Sequence, residues 1–245
     1  MNHTRVPIPF GLRAGVLLSC IALPLLTYMP DYLLAHPSKT NIVSILTPKI
    51  MTETTVLALI LMFVVTYVYL RAMRQSFADI GVKLRRWHVQ VGVGVGLALL
   101  LVVVSVSLSA VTRLFAGEEG FVRFAGQMRQ VFESRTWVAA WIFTAVVRGG
   151  IIEETLRAYV LTRAEYAFDK AGLYAMLVIS SVIFGAMHGY EGYAAVFAAG
   201  GLGLILGLIF IRRRSLIEVV VAHAGYDMVA LGALYLIRRF GLPVA

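Results

Sequence analysis

Three stretches of this chain place ionisable side chains inside apolar runs, where such groups are expensive and need a reason to be present. The first is Glu153-Glu154-Thr155-Leu156-Arg157. On a helix, Glu153 stands four residues and Glu154 three residues before Arg157, so either carboxylate can reach the guanidinium. The glutamate left over, facing a low-dielectric cavity, suits a general base. The second stretch runs from Phe184 to His188, and the third from His223 to Asp227. His223 and Asp227 share one helix face, a natural arrangement for a buried histidine oriented by a carboxylate. A glutamate and two histidines converging from three helices can hold and activate a water molecule. Plainer readings stand beside this one: an interfacial salt-bridge cluster of Glu153, Glu154 and Arg157 with Arg163 and Glu165, and an aromatic-belt position for His188 beside Tyr190 and Tyr193.

The elements that must position these residues follow from composition. Of the 245 residues, 60% are hydrophobic and 14% charged, more apolar surface than a soluble domain of this size can bury. The expected fold is all-α, a polytopic transmembrane bundle of about seven spans, because backbone groups in lipid must be satisfied within their own segment. Apolar runs at 10–29, 54–70, 89–112, 136–160, 172–190, 193–211 and 215–237 each approach the ~20 residues needed to cross ~30 Å of hydrocarbon. The whole chain, 1–245, reads as one membrane domain, with N-terminal spans over 10–112 and a motif-bearing core over 136–237. The first run follows Arg5 and Arg13 and reads as a retained anchor rather than a cleaved signal peptide.

The net charge of +9 comes from basic residues clustered beside apolar segments: Arg71, Arg74, Lys83, Arg85, Arg86, and then Arg212, Arg213 and Arg214. That is the pattern of cytoplasmic juxtamembrane loops, not of a nucleic-acid groove. With the N-terminus cytoplasmic, loops 71–88, 163–170 and 212–214 face the cytoplasm, and the mixed-charge segment 113–135 faces outward, as do Arg238 and Arg239. Gly92 with Gly96, and Gly203 with Gly207, stand four apart and are expected at close helix contacts. The single Cys20 rules out an internal disulfide.

The three motifs, in their order, spacing and membrane context, resemble the CPBP family, the CAAX-protease and bacteriocin-processing membrane proteins also called Abi. That family is marked by Glu-Glu-x-x-x-Arg, then Phe-x-x-x-His, then His-x-x-x-Asn, and the resemblance covers about residues 136–237. It departs at two places. Arg157 comes one residue early, and Asp227 stands where the family has asparagine. The resemblance implies an intramembrane endopeptidase that hydrolyses a peptide bond without a covalent intermediate. It implies that Glu153 and His188 activate water, that His223 and Asp227 form the oxyanion side, and that Glu154 and Arg157 form an ion pair fixing the helix. An amide can donate to an oxyanion, whereas a carboxylate does so only when protonated. The resemblance further implies a peptide or protein substrate near the bilayer, CAAX-type and prenylated or a leader peptide. It places the chain in a membrane, the bacterial plasma membrane being the expected one.

No cofactor is expected. Zinc held by Glu153, His188 and His223 is the minority mechanism, since two histidines and a glutamate make a known catalytic zinc set. No His-Glu-x-x-His motif, serine-protease element or second intramembrane aspartate is present. The alternative from another class is a non-catalytic immunity or scaffold protein of the same family, and a proton-coupled transporter ranks last.

Overall fold

A computed structural model describes residues 10–35, 47–116, 134–189 and 193–240. Seven helices form among them: α1 (Phe10–Ala35), α2 (Pro48–Ala72), α3 (Trp87–Ala116), α4 (Arg135–Phe168), α5 (Lys170–Met187), α6 (Tyr193–Arg213) and α7 (Leu216–Arg239). All seven apolar runs of the sequence become helices, and no strand occurs among the described residues. Six of the helices, α2 to α7, are long and apolar enough to cross a membrane. Most of the 113–135 segment lies outside the described residues.

The helix ends are written in the sequence. Thr47 caps α2, its hydroxyl accepting from the Ile50 backbone N–H, with Pro48 at the first helical position where a missing N–H costs nothing. Ser134 caps α4 through the Thr136 N–H, and the Asp169 carboxylate takes the Ala171 and Gly172 N–H groups at the start of α5.

Helix α4 runs through the middle of the bundle. From Glu154 to Ala164 every side chain is buried, which a surface helix never shows. One face, with Leu156, Tyr159 and Val160, packs with Val16 and Leu23 of α1 and Ala58 and Met62 of α2. The other, with Ala158 and Leu161, joins Leu101, Leu177, Leu206, Phe210 and Val219 of the remaining helices. Large apolar side chains point outward instead, among them Ile60, Phe63 and Val64 on α2 and Leu99, Val103 and Val106 on α3. Lipid accepts that surface, so the polar residues concentrate on the central helix.

The basic loops meet at one end of the bundle. Gln75 accepts from Arg163, the Leu216 N–H donates to the Gly81 carbonyl at 2.9 Å, and Arg214 pairs with Glu165 at 2.6 Å. The loops 71–86, 163–170 and 212–216 therefore share one membrane face.

The glycine expectations divide. At Gly203 an added Cβ would meet the Arg157 guanidinium at 3.0 Å, and at Gly207 it would strike Leu177 at 2.2 Å, so both mark close contacts. Gly92 and Gly96 meet nothing within 4 Å; Gly94 between them is the tight position, its Cβ site 2.6 Å from Val221 of α7. A four-residue spacing identifies a face, but it does not say whether that face meets a helix or lipid.

Candidate active site

Within α4, residues Ala145–Glu153 form a π-helical stretch between the α-helical pieces Arg135–Thr144 and Glu154–Phe168. A π segment widens the turn and re-aims the side chains around it, and such segments are frequent at functional sites. Here it includes Gly149 and Gly150. A Cβ on Gly149 would lie 2.3 Å from the Asp227 carboxylate, and one on Gly150 would meet Ala224 at 2.9 Å. The glycine pair lets α7 lie against α4 and carries His223 and Asp227 up to the two glutamates.

Glu154 is completely buried. Its carboxylate accepts from Arg157 Nε at 3.1 and 3.3 Å, and its Oε1 meets His223 Nδ1 at 2.8 Å. Arg157, itself buried, donates from a terminal nitrogen to the Gly203 carbonyl of α6 at 3.0 Å and stacks over the Phe184 ring of α5 at 4.8 Å. Glu154 and Arg157 thereby tie α4 to α5, α6 and α7. A buried ion pair needs further hydrogen bonds beside its own contact, and the Gly203 carbonyl and His223 supply them here.

Because a carboxylate only accepts, His223 carries its proton on Nδ1 toward Glu154. Its other nitrogen, Nε2, faces the remaining acids: Glu153 Oε2 at 3.9 Å and Asp227 Oδ2 at 3.9 Å. Glu153 and Asp227 are partly open, with side chains 14% and 26% exposed, whereas Glu154 is sealed.

His188 sits at the C-cap of α5, its Nδ1 2.9 Å from the Phe184 carbonyl and its ring 4.8 Å from the Phe184 ring. Phe184 also meets His223 edge-on at 6.1 Å. Phe184 is thus the aromatic hub joining His188, His223 and Arg157, a role its place in the Phe-x-x-x-His spacing hints at but does not define.

Depth agrees across the two main helices. Taking the Arg214–Glu165 pair as a common level, Glu154 lies eleven residues along α4 and His223 nine along α7, about 16 and 14 Å at 1.5 Å per residue. The two helices therefore bring these side chains to a similar level, well inside the apolar spans. Among the described residues, no group of three or more His, Cys, Asp or Glu side chains is placed to hold a metal ion.

Residues 135–229 match the family model of type II CAAX prenyl endopeptidases, Rce1-like. Over that stretch the chain is similar to the CPBP family. The match begins at the start of α4 and ends two residues after Asp227, so it spans all six residues of the candidate site. No curated protein and no solved structure matches the chain significantly. That similarity supports a CAAX-type membrane protease at the level of the class, with a protein or peptide substrate in a lipid environment.

Proposed function

We propose that the chain is an intramembrane endopeptidase in which Glu153 activates the attacking water for cleavage of a CAAX-type or leader peptide. The observation that carries this reading is the division of labour between the two adjacent glutamates: Glu154 is consumed by Arg157 and His223, and Glu153 is left beside His223 Nε2 and partly open.

The chemistry follows from those positions. The two 3.9 Å gaps at Nε2 exceed a hydrogen bond, and a water off those lines can bridge His223, Glu153 and Asp227. Glu153 takes a proton from that water as its oxygen attacks the scissile carbonyl. The carbonyl oxygen becomes an oxyanion, and the proton passes to the leaving nitrogen as the C–N bond breaks. His223, when protonated, donates through Nε2 to the oxyanion, its orientation fixed in advance by Glu154. Asp227 assists only in its protonated form, since an ionised carboxylate has no hydrogen to give. His188, which the family resemblance makes the partner of Glu153 in activating water, is linked to His223 through the Phe184 ring that both contact. No metal takes part in this scheme.

The test is cleavage of a prenylated CAAX peptide, its unprenylated counterpart and a leader-peptide panel by the detergent-purified protein, with Glu153→Ala and His188→Ala alongside. Cleavage by wild type that is lost in both variants and survives a chelator supports the proposal. Undiminished cleavage by both variants removes the site, and loss with chelator that zinc restores replaces the metal-free mechanism. The class of peptide cut decides between the two substrate types.

A further inference from the structure

The short turn between α2 and α3 has a composition and a rigidity that the peptidase does not need. Lys83, Leu84, Arg85, Arg86 and Trp87 are consecutive and all exposed, Leu84 at 74% and Trp87 at 59%. Two large apolar side chains interleaved with three cations have no comfortable place in bulk water. They fit the headgroup layer, where an apolar body enters the acyl boundary and cations meet phosphate. Trp87 is the first residue of the α3 span, which sets the turn at that height.

The turn is also held in shape. The Gln90 side-chain amide donates to the Lys83 and Arg85 carbonyls at 2.7 and 2.9 Å, and its oxygen accepts from the Ser215 hydroxyl at 2.5 Å. Ser215 in turn accepts the Glu218 N–H in the first turn of α7. Arg86 occupies the left-handed region at φ 55°, and Gly81 does so at φ 93°, where any side chain would meet the Phe210 ring at 2.9 Å. A backbone fixed this way holds its side chains splayed outward and loses little freedom on binding.

Nearby acids are already engaged. Glu218 pairs with Arg213, Glu165 with Arg214, and Asp79 accepts from the Ser76 backbone N–H and hydroxyl. Lys83, Arg85 and Arg86 form no ion pair among the described residues. The cations of the turn are therefore available to an external anion.

We infer that the 83–87 turn is a docking site for anionic phospholipid, with Lys83, Arg85 and Arg86 on the headgroup phosphate and Leu84 and Trp87 in the adjoining acyl layer. Basic residues near a membrane surface each attract anionic lipid, and three on one rigid turn concentrate that attraction at one point.

The experiment uses the full chain with Trp137→Phe and Trp141→Phe, leaving Trp87 as the only tryptophan, reconstituted in phosphatidylcholine vesicles containing phosphatidylglycerol. Trp87 fluorescence is read with the bromine label on one lipid or the other at equal mole fraction. The expected result is stronger quenching by brominated phosphatidylglycerol, reduced to equality in Lys83→Gln/Arg85→Gln/Arg86→Asn, asparagine being chosen because it tolerates the positive φ at 86. Should the triple variant not fold, Lys83→Gln/Arg85→Gln carries the same comparison. Equal quenching in the wild type, or a preference unchanged in the variant, overturns the proposal. So does quenching by aqueous iodide and by neither lipid, which would place the turn in water and leave a soluble acidic partner as its occupant.

Discussion

Helix α4 buries two arginines six residues apart, and they are treated in opposite ways. Arg157 meets a carboxylate from Glu154, a carbonyl from Gly203 and the face of Phe184. Arg163, only 2% exposed, pairs with no carboxylate among the described residues. It donates to Gln75 and to the Met73 sulfur, lies over the rings of Tyr159 and Tyr166 at 5.6 and 5.9 Å, and leaves its Nε without a partner. A guanidinium held by neutral groups serves to join elements; here α4 is joined to the end of α2, and Tyr159 beside it donates to Ser19 of α1 at 2.8 Å. A guanidinium paired with a sealed carboxylate does more, because that carboxylate then fixes an imidazole. The same residue type on the same helix is a fastener at one level and part of a site at the other.

That contrast can be broken at several points. Arg157→Met leaves the Glu154 charge buried without its partner, so it is expected to cost about 3–5 kcal/mol of stability and all measurable cleavage; thermal unfolding in detergent and a peptide assay check both. Gly149→Ala pushes a methyl onto the Asp227 carboxylate and separates α4 from α7. Cleavage should fall on the order of a hundredfold, the effect of a misplacement near 1 Å, and kinetics that match wild type would show that this approach is not needed. Arg163→Met is expected to lower stability by ~1–3 kcal/mol, the cost attached to disturbed buried polar groups, with cleavage per folded molecule unchanged. If cleavage vanished instead, the division between the two arginines would be wrong. Asp227→Asn should retain or raise activity if that position serves the oxyanion as a donor, and a collapse in rate would mean the carboxylate itself is required. The smallest change is Tyr159→Phe, which removes one hydrogen bond to Ser19 and should cost ~1 kcal/mol in the same unfolding assay.

Much of this was legible in the residues. Apolar run lengths located all seven helices, and the spacing of the charged exceptions picked out the three helices that meet at Glu154, His223 and Phe184. The choice between Glu153 and Glu154 as partner of Arg157 was not legible from geometry alone, because i,i+3 and i,i+4 are both in reach on an ideal helix. The π stretch that ends at Glu153 changes the register just there. Gly149 and Gly150 were equally silent: adjacent glycines show no helical spacing, and their purpose appears only when α7 is seen against them. Arg163 read as interfacial because its neighbours in sequence are polar, yet tertiary packing buries it. The reach of α4 to Phe168, well beyond the apolar run ending at 160, has the same cause, since α1, α2 and α5 enclose polar residues that a lipid-facing helix could not carry.

The central claim is that Glu153, freed by its neighbour's ion pair, activates the water. Its most direct test is the rate of peptide cleavage by Glu153→Gln against wild type, with unfolding temperatures measured in parallel. The site described here predicts a loss of about 10²–10⁴-fold, the usual contribution of a positioned base, at unchanged stability. A near-wild-type rate in a folded Glu153→Gln protein would contradict it.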